Sequence, residues 1–474
     1  RVPPDIGAGY KEINPPVPGA RESGEYSHTM GVLVRTNRGG TAASTRPHSR
    51  TGFFMSFSEC VCPCGAEDLF NGRGGYQKRE RSEEVEIMRN LVRFVSMVTL
   101  ITCIGTGIAY GKELPPVKIG AQGPFTGDLS KIGLDALNAI QMAVEEANAE
   151  GGIKGRKIEV AIGDDMGDPS KGVLVAEKFG MDKNVLGVIG PMNSATVSAA
   201  LPSYDRAGLV VISQSATNPD LTERGYRVMH RICPRDDAQG PAAARFIAEV
   251  VSAKSVYIID DKGAYGQGLA DQVAAALNRI GVKVTRGQIT LEDRDFSPIL
   301  TRVKAVQPDL VYLGLSNPAQ AAGLMKQAVG LGLSARFMGG DCMKEKDQLV
   351  AGAGGAAEGM YITAIGRAIA EVPAAREFVK NFEGRYGAMS VFSGQSYEAT
   401  KILIEALRVA AGDNPAGLTK AKALDAVHNI RDYKGIMGFP ISFDEIGDVV
   451  GASIYVYQVE KGDFREVIEY PAEV

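Results

Sequence analysis

From Val117 onward the chain alternates short apolar runs with helix-compatible stretches, at the rhythm of parallel α/β layers, and this alternation constrains the fold more than any other feature. Val117, Ile119 and Ala121 recur at strand spacing, Gly123-Pro124 breaks the run, and Leu134, Leu137, Ile140 and Val144 then recur at helical spacing. Strands are expected at residues 158–162, 185–189 and 209–213, each separated by helical sequence, which makes one doubly wound lobe. After Arg231 a second series begins. Helices are expected over 239–251, 265–280, 297–305 and 318–329, and strands over 255–260, 283–289 and 309–314. No long linker separates the two series, so the junctions are expected to be short crossovers forming a hinge.

The 474 residues are 45% hydrophobic and 23% charged, the balance of a globular protein with a large core. The net charge of −4 contains no long like-charged block, which argues against nucleic-acid binding and against a polybasic membrane anchor. Residues 1–87 mix Pro, Gly, Ser and Arg without periodicity and are set aside as an upstream extension. From Met88, Arg89 and Arg93 precede an uncharged stretch, Phe94 to Ala109, and then Ala109-Tyr110-Gly111. That is the pattern of a signal peptide over 88–111, with translation expected to start at Met88 and export to the periplasm. The stretch is shorter than the roughly 20 residues of a membrane-spanning helix.

Catalytic and metal-binding patterns are weak. Of six cysteines, only Cys233 and Cys342 lie beyond the signal, and their spacing leaves pairing open. Cys60, Cys62 and Cys64 have single-residue spacers, unlike zinc sites. His230 and His428 adjoin no triad pattern, and no Gly-x-Ser-x-Gly elbow supports a hydrolase. The run Gly263 to Gly268 follows a strand and opens a helix, but its glycine order is not the dinucleotide fingerprint and no lysine completes a phosphate loop. No cofactor or metal is therefore expected.

Two segments at strand ends carry more information: Gly190-Pro191-Met192-Asn193-Ser194-Ala195-Thr196 and Ser213-Gln214-Ser215-Ala216-Thr217-Asn218-Pro219. Each offers hydroxyls and free N–H groups beside a helix N-terminus, an arrangement suited to a carboxylate. Ordinary helix capping by Ser194 and Thr217 accounts for the same residues equally well.

The order of these segments resembles the periplasmic binding proteins of branched-chain amino-acid ABC transporters, the Leu/Ile/Val type, from about Val117 to about Gln458. The markers are residues 148–155, Asp164-Asp165 with Asp168-Pro169, residues 216–222, Asp260-Asp261-Lys262 with residues 265–268, residues 337–341, residues 357–360, and Phe443-Asp444 with Gly447-Asp448. The resemblance implies two doubly wound parallel-sheet lobes (the type I periplasmic binding protein fold), 113–232 plus 367–445 and 236–363 plus 452–474, joined by three crossovers. It also implies a monomer that binds a small amino-acid-like ligand in the cleft, delivers it to a membrane permease, and performs no catalysis.

By position, the resemblance assigns the ligand carboxylate to Ser194 and Thr217 and an ammonium acceptor to the Ser215 carbonyl. Asp341 would face the same ammonium, Tyr265 would close over the ligand, and Tyr397 would line the pocket. Where a leucine-binding relative carries a cysteine pair this chain has Gly167 and Asn193, and Ile132 and Ser316 stand at positions that are often aromatic. The zwitterion clamp is kept while the specificity wall is altered, so an amide or short carboxylate is the alternative ligand. A receptor domain of the same architecture would require a following membrane span or signalling domain, which this sequence does not contain.

Overall fold

The computed structural model describes residues 85–97 and 114–472. Residues 85–97 form a helix, α1. The rest of the upstream extension and most of the expected signal peptide lie outside the described residues. Among the described residues no helix is long and apolar enough to cross a membrane.

The first lobe is built from β1 (Val117–Gly123), α2 (Ser130–Ala149), β2 (Ile158–Asp164), α3 (Pro169–Met181), β3 (Val185–Ile189), α4 (Ser194–Ala207), β4 (Val211–Ser213), α5 (Asp220–Glu223) and β5 (Met229–Arg231). Its strands are all parallel in the order β2-β1-β3-β4-β5. Every residue of β3 is buried, as a central strand covered on both faces must be. Asp168 caps α3 by accepting from the N–H groups of Ser170 and Lys171, with Pro169 at the first helical position.

The second lobe repeats the plan with α6 (Asp236–Glu249), β6 (Ser255–Asp260), α7 (Ala264–Arg279), β7 (Lys283–Gln288), α8 (Ser297–Val306), β8 (Leu310–Gly314), α9 (Pro318–Gly330), β9 (Arg336–Gly339) and β10 (Tyr361–Ala364). Its parallel strands run β7-β6-β8-β9-β10, the same order as in the first lobe. In both sheets the order reverses beside the first strand, which opens a crevice at the C-terminal strand ends where such sheets bind ligands. After β10 the chain returns to the first lobe, where α10 (Arg376–Tyr386) packs on α2 and α11 (Ser393–Ala411) packs on α2 and β3. The helix α12 (Lys420–His428) and the short pair β11 (Ser442–Phe443) and β12 (Val449–Val450) follow.

A last crossing then adds the hairpin β13 (Ser453–Glu460) and β14 (Asp463–Pro471) to the second sheet, with β13 antiparallel to β10. The parallel alternation read from the sequence ends before this antiparallel edge.

The crossings are tied together by buried charge. Arg231 is fully buried, and its guanidinium bonds Asp448 of the last crossing, the Thr222 hydroxyl at 2.6 Å, and the carbonyls of Ala216 at 3.0 Å and Asn218 at 2.8 Å. Arg235 of the first crossing reaches the other oxygen of Asp448 at 3.0 Å. At Gly447 the backbone adopts φ +94°, and a Cβ there would lie 2.1 Å from the Met229 carbonyl, so only glycine lets the last crossing lie this close to β5.

Candidate ligand site

Between the lobes, Leu129, Ile132, Met192, Asn193, Ser194, Ser215 and Phe392 of the first face Tyr265, Ser316 and Cys342 of the second. Together they enclose a cavity of about 30 Å³, closed down tightly between the lobes. The lobes touch around it. The Asn218 amide donates to the Ala264 carbonyl at 2.7 Å, the Gln348 amide to the Asp128 carbonyl at 3.0 Å, and the Val391 N–H to the Glu345 carboxylate at 3.3 Å.

On the first-lobe side, Ser194 is the first residue of α4 and is 2% exposed. The first-turn N–H groups of that helix have no partner within it and carry its positive dipole end. The next strand end lies alongside: the Ser215 hydroxyl donates to the Met192 carbonyl at 3.0 Å, and the Asn218 N–H donates to the Ser194 hydroxyl oxygen at 3.4 Å. Thr217 is wholly buried, and its hydroxyl has no hydrogen-bond partner among the described residues. Because Arg231 holds the carbonyls of Ala216 and Asn218, this loop is anchored from behind.

Two buried acids belong to the second lobe. Asp341 is 1% exposed and accepts at one oxygen from the Tyr265 hydroxyl at 2.8 Å and the Gln239 amide at 3.0 Å; the same amide donates to the Thr363 hydroxyl at 2.9 Å. Burial pushes the Asp341 carboxyl up to about 6 against those two donors. Tyr265 opens α7 and reaches Asp341 past Gly340, where a Cβ would lie 2.3 Å from the tyrosine oxygen. Beside them stands Asp236, the first residue of α6, fully buried and with no hydrogen-bond partner for either carboxylate oxygen among the described residues. Burial pushes it up to about 8, reinforced by the charge of Asp341 and opposed by the nearby Thr217 hydroxyl and Arg231.

Of the six residues singled out in the sequence, Ser194, Ser215 and Tyr265 line this cleft; Thr217 and Asp341 are buried and do not line it, Asp341 being joined to it through its hydrogen bond with Tyr265. Tyr397 is not brought to it. Its ring packs on Phe378, with centroids 4.6 Å apart, and its hydroxyl donates to Glu146. Phe392, at the N-terminus of the same helix, lines the cleft instead. Asp236, Gln239 and Phe392 escaped sequence reasoning. The expected helix begins at 239, three residues late, and burial without a partner is what marks Asp236. Cys233 and Cys342 are free thiols.

The sequence profile of the family described as periplasmic binding protein matches residues 116–463. The Leu/Ile/Val-binding protein homolog 1 of Brucella abortus is 33% identical over 368 residues, covering 77% of this chain and 96% of that protein. A leucine-, isoleucine-, valine-, threonine-, and alanine-binding protein of Pseudomonas aeruginosa is 31% identical over 363 residues, covering 76% and 94%. Among solved structures, a leucine binding protein from Thermotoga maritima superimposes with a TM-score of 0.68 at 25% identity, covering 74% of this chain and 98% of that one.

Proposed function

Because the chain belongs to the periplasmic binding protein family, we propose that it captures an amino acid, branched-chain or related, in the interlobe cleft and delivers it to the permease of an ABC transporter. One observation supports the ligand assignment: the α4 N-terminus with Ser194 lines one side of a closed cleft, and Tyr265, hydrogen-bonded to the buried Asp341, lines the other. A zwitterion has the complementary ends. In this reading the α-carboxylate sits on the α4 N-terminus with Ser194 and Thr217, and the ammonium lies between the Ser215 carbonyl and Asp341, with Tyr265 over the ligand. Asp236 joins Asp341 as a second negative wall.

Charge-assisted hydrogen bonds contribute roughly 1.5–3 kcal/mol each, and only the closed arrangement supplies both ends at once. Ligand therefore shifts the hinge equilibrium toward closure, and the permease reads the closed shape. The lobes are taken as 113–232 plus 367–445 and 236–363 plus 452–474. The protein acts outside the cytoplasm as a monomer, after removal of the segment beginning at Met88, and carries out no catalytic step.

Calorimetric titration of the full chain, freed of carried-over ligand, with the common amino acids tests this reading. Saturable 1:1 binding, weakened at least tenfold in Asp341→Ala, is expected. Silence from every amino acid would overturn it, and binding indifferent to the substitution would remove Asp341 from the clamp.

A further inference from the structure

The part of the cleft left for a ligand side chain is apolar over Leu129, Ile132, Met192 and Phe392, with two polar exceptions, Asn193 and Ser316. Asn193 holds the N-cap position of α4 with extended backbone, φ −89° and ψ 134°, where an asparagine side chain ordinarily accepts from its own helix. It makes no such bond. Its Oδ1 is buried and has no hydrogen-bond partner among the described residues. Gly167, beside it, presents no side chain to the amide: a Cβ there would stand 3.7 Å from that oxygen. The Ser316 hydroxyl donates to Asp261 at 2.6 Å, which leaves its oxygen free to accept.

A half-buried amide whose oxygen is buried, caps nothing and accepts from no other side chain is satisfied when the ligand supplies a donor. An apolar ligand side chain would strip water from the amide and return nothing, whereas a hydroxyl or carboxamide would restore the lost hydrogen bonds. None of the ten residues enclosing the cleft is charged, and the buried acids Asp341 and Asp236 are taken by the ligand ammonium, so a further charge on the ligand side chain would find no partner there. Resting on the amino-acid reading above, we propose that Asn193 selects a small amino acid whose side chain carries an uncharged hydrogen-bonding group over its apolar isostere. The four apolar neighbours receive the carbon part of that side chain.

The test is calorimetric titration of the full chain with three near-isosteric pairs: threonine and valine, asparagine and leucine, glutamine and methionine. The polar member is expected to bind at least tenfold more tightly in at least one pair, and Asn193→Leu, which keeps the volume and removes the amide, is expected to cut that preference at least tenfold. Asn193→Ala replaces the leucine variant if thermal melting shows that the latter does not fold. Equal or tighter binding of the apolar member in every pair, or a preference unmoved by the substitution, overturns the inference and leaves the amino-acid reading standing. Silence from all six overturns the inference, and silence from every amino acid overturns both.

Discussion

At the scale of single residues, the buried acids of the second lobe set the chemistry of the cleft. Asp236 and Asp341 sit in a wall whose burial favours their neutral forms, to about 8 and about 6. An ammonium reverses that preference, because it stabilises the ionised carboxylates. The sign follows: Asp341 has a lower pKa with ligand bound than without, so binding expels protons and acid opposes it. Affinity should fall as pH drops through about 6, by at most about tenfold per unit for each proton released. Dissociation constants measured between pH 5 and 8 check this, and a flat profile would argue against an ammonium at Asp341. The second acid is testable by itself. Asp236→Asn removes an acid whose ionised form burial disfavours and should weaken ligand binding at least tenfold, about 1.4 kcal/mol, with a melting temperature equal to or above that of the parent.

The elements explain why these residues meet. Both sheets reverse order beside their first strand, so the loops after β3 and β4 and the starts of α6 and α7 converge on one cleft. Close backbone approach is part of the same construction. At Gly340 an added methyl would lie 2.3 Å from the Tyr265 oxygen and 2.6 Å from Leu269. Gly340→Ala should therefore push Tyr265 off Asp341. The expected result is destabilisation of roughly 1–3 kcal/mol from overpacking in urea unfolding, together with at least tenfold weaker binding. A variant with parental affinity would show that the Tyr265–Asp341 bond is dispensable.

For the molecule as a whole, the hinge and the binding loop share one buried residue. Arg231 bonds the carbonyls of Ala216 and Asn218 behind the cleft and Asp448 in the last crossing, and Arg235 of the first crossing meets the same carboxylate. A change in hinge geometry is thereby felt at Thr217. Asp448→Ala leaves the Arg231 charge buried without its carboxylate and should cost roughly 3–5 kcal/mol in chemical unfolding. Its effect on ligand affinity should exceed that of removing an exposed pair such as Arg245–Glu249, whose partners are 60% and 58% exposed. Small-angle scattering should show a smaller radius of gyration with ligand than without in the parent protein, since closure brings the lobes together.

Sequence and structure divide the result along physical lines. The alternation of β-run and helix repeat is local, and it placed the strands at 185–189 and 255–260 where they are found, with helix α7 displaced by a single residue at each end. The break at Gly190-Pro191 is also local, and the helix expected near Ser194 is found there, although the cap position falls to Asn193 and carries no capping bond. The antiparallel hairpin β13–β14 was not legible, because pairing to β10 joins segments about ninety residues apart in the chain and leaves no local periodic mark. Tyr397 occupied the right segment, but the packing of α11 on α2 turned it to Glu146 and left Phe392 at the cleft. Asp236 carried no mark in the sequence, where the helix was expected to start only at 239, and its burial is visible only in the folded chain. Periodicity and caps are written in neighbouring residues and determined the layered α/β plan. Burial, orphaned hydrogen-bonding groups and carboxylates brought together across a hinge depend on residues far apart in the chain, and only the tertiary structure decided them.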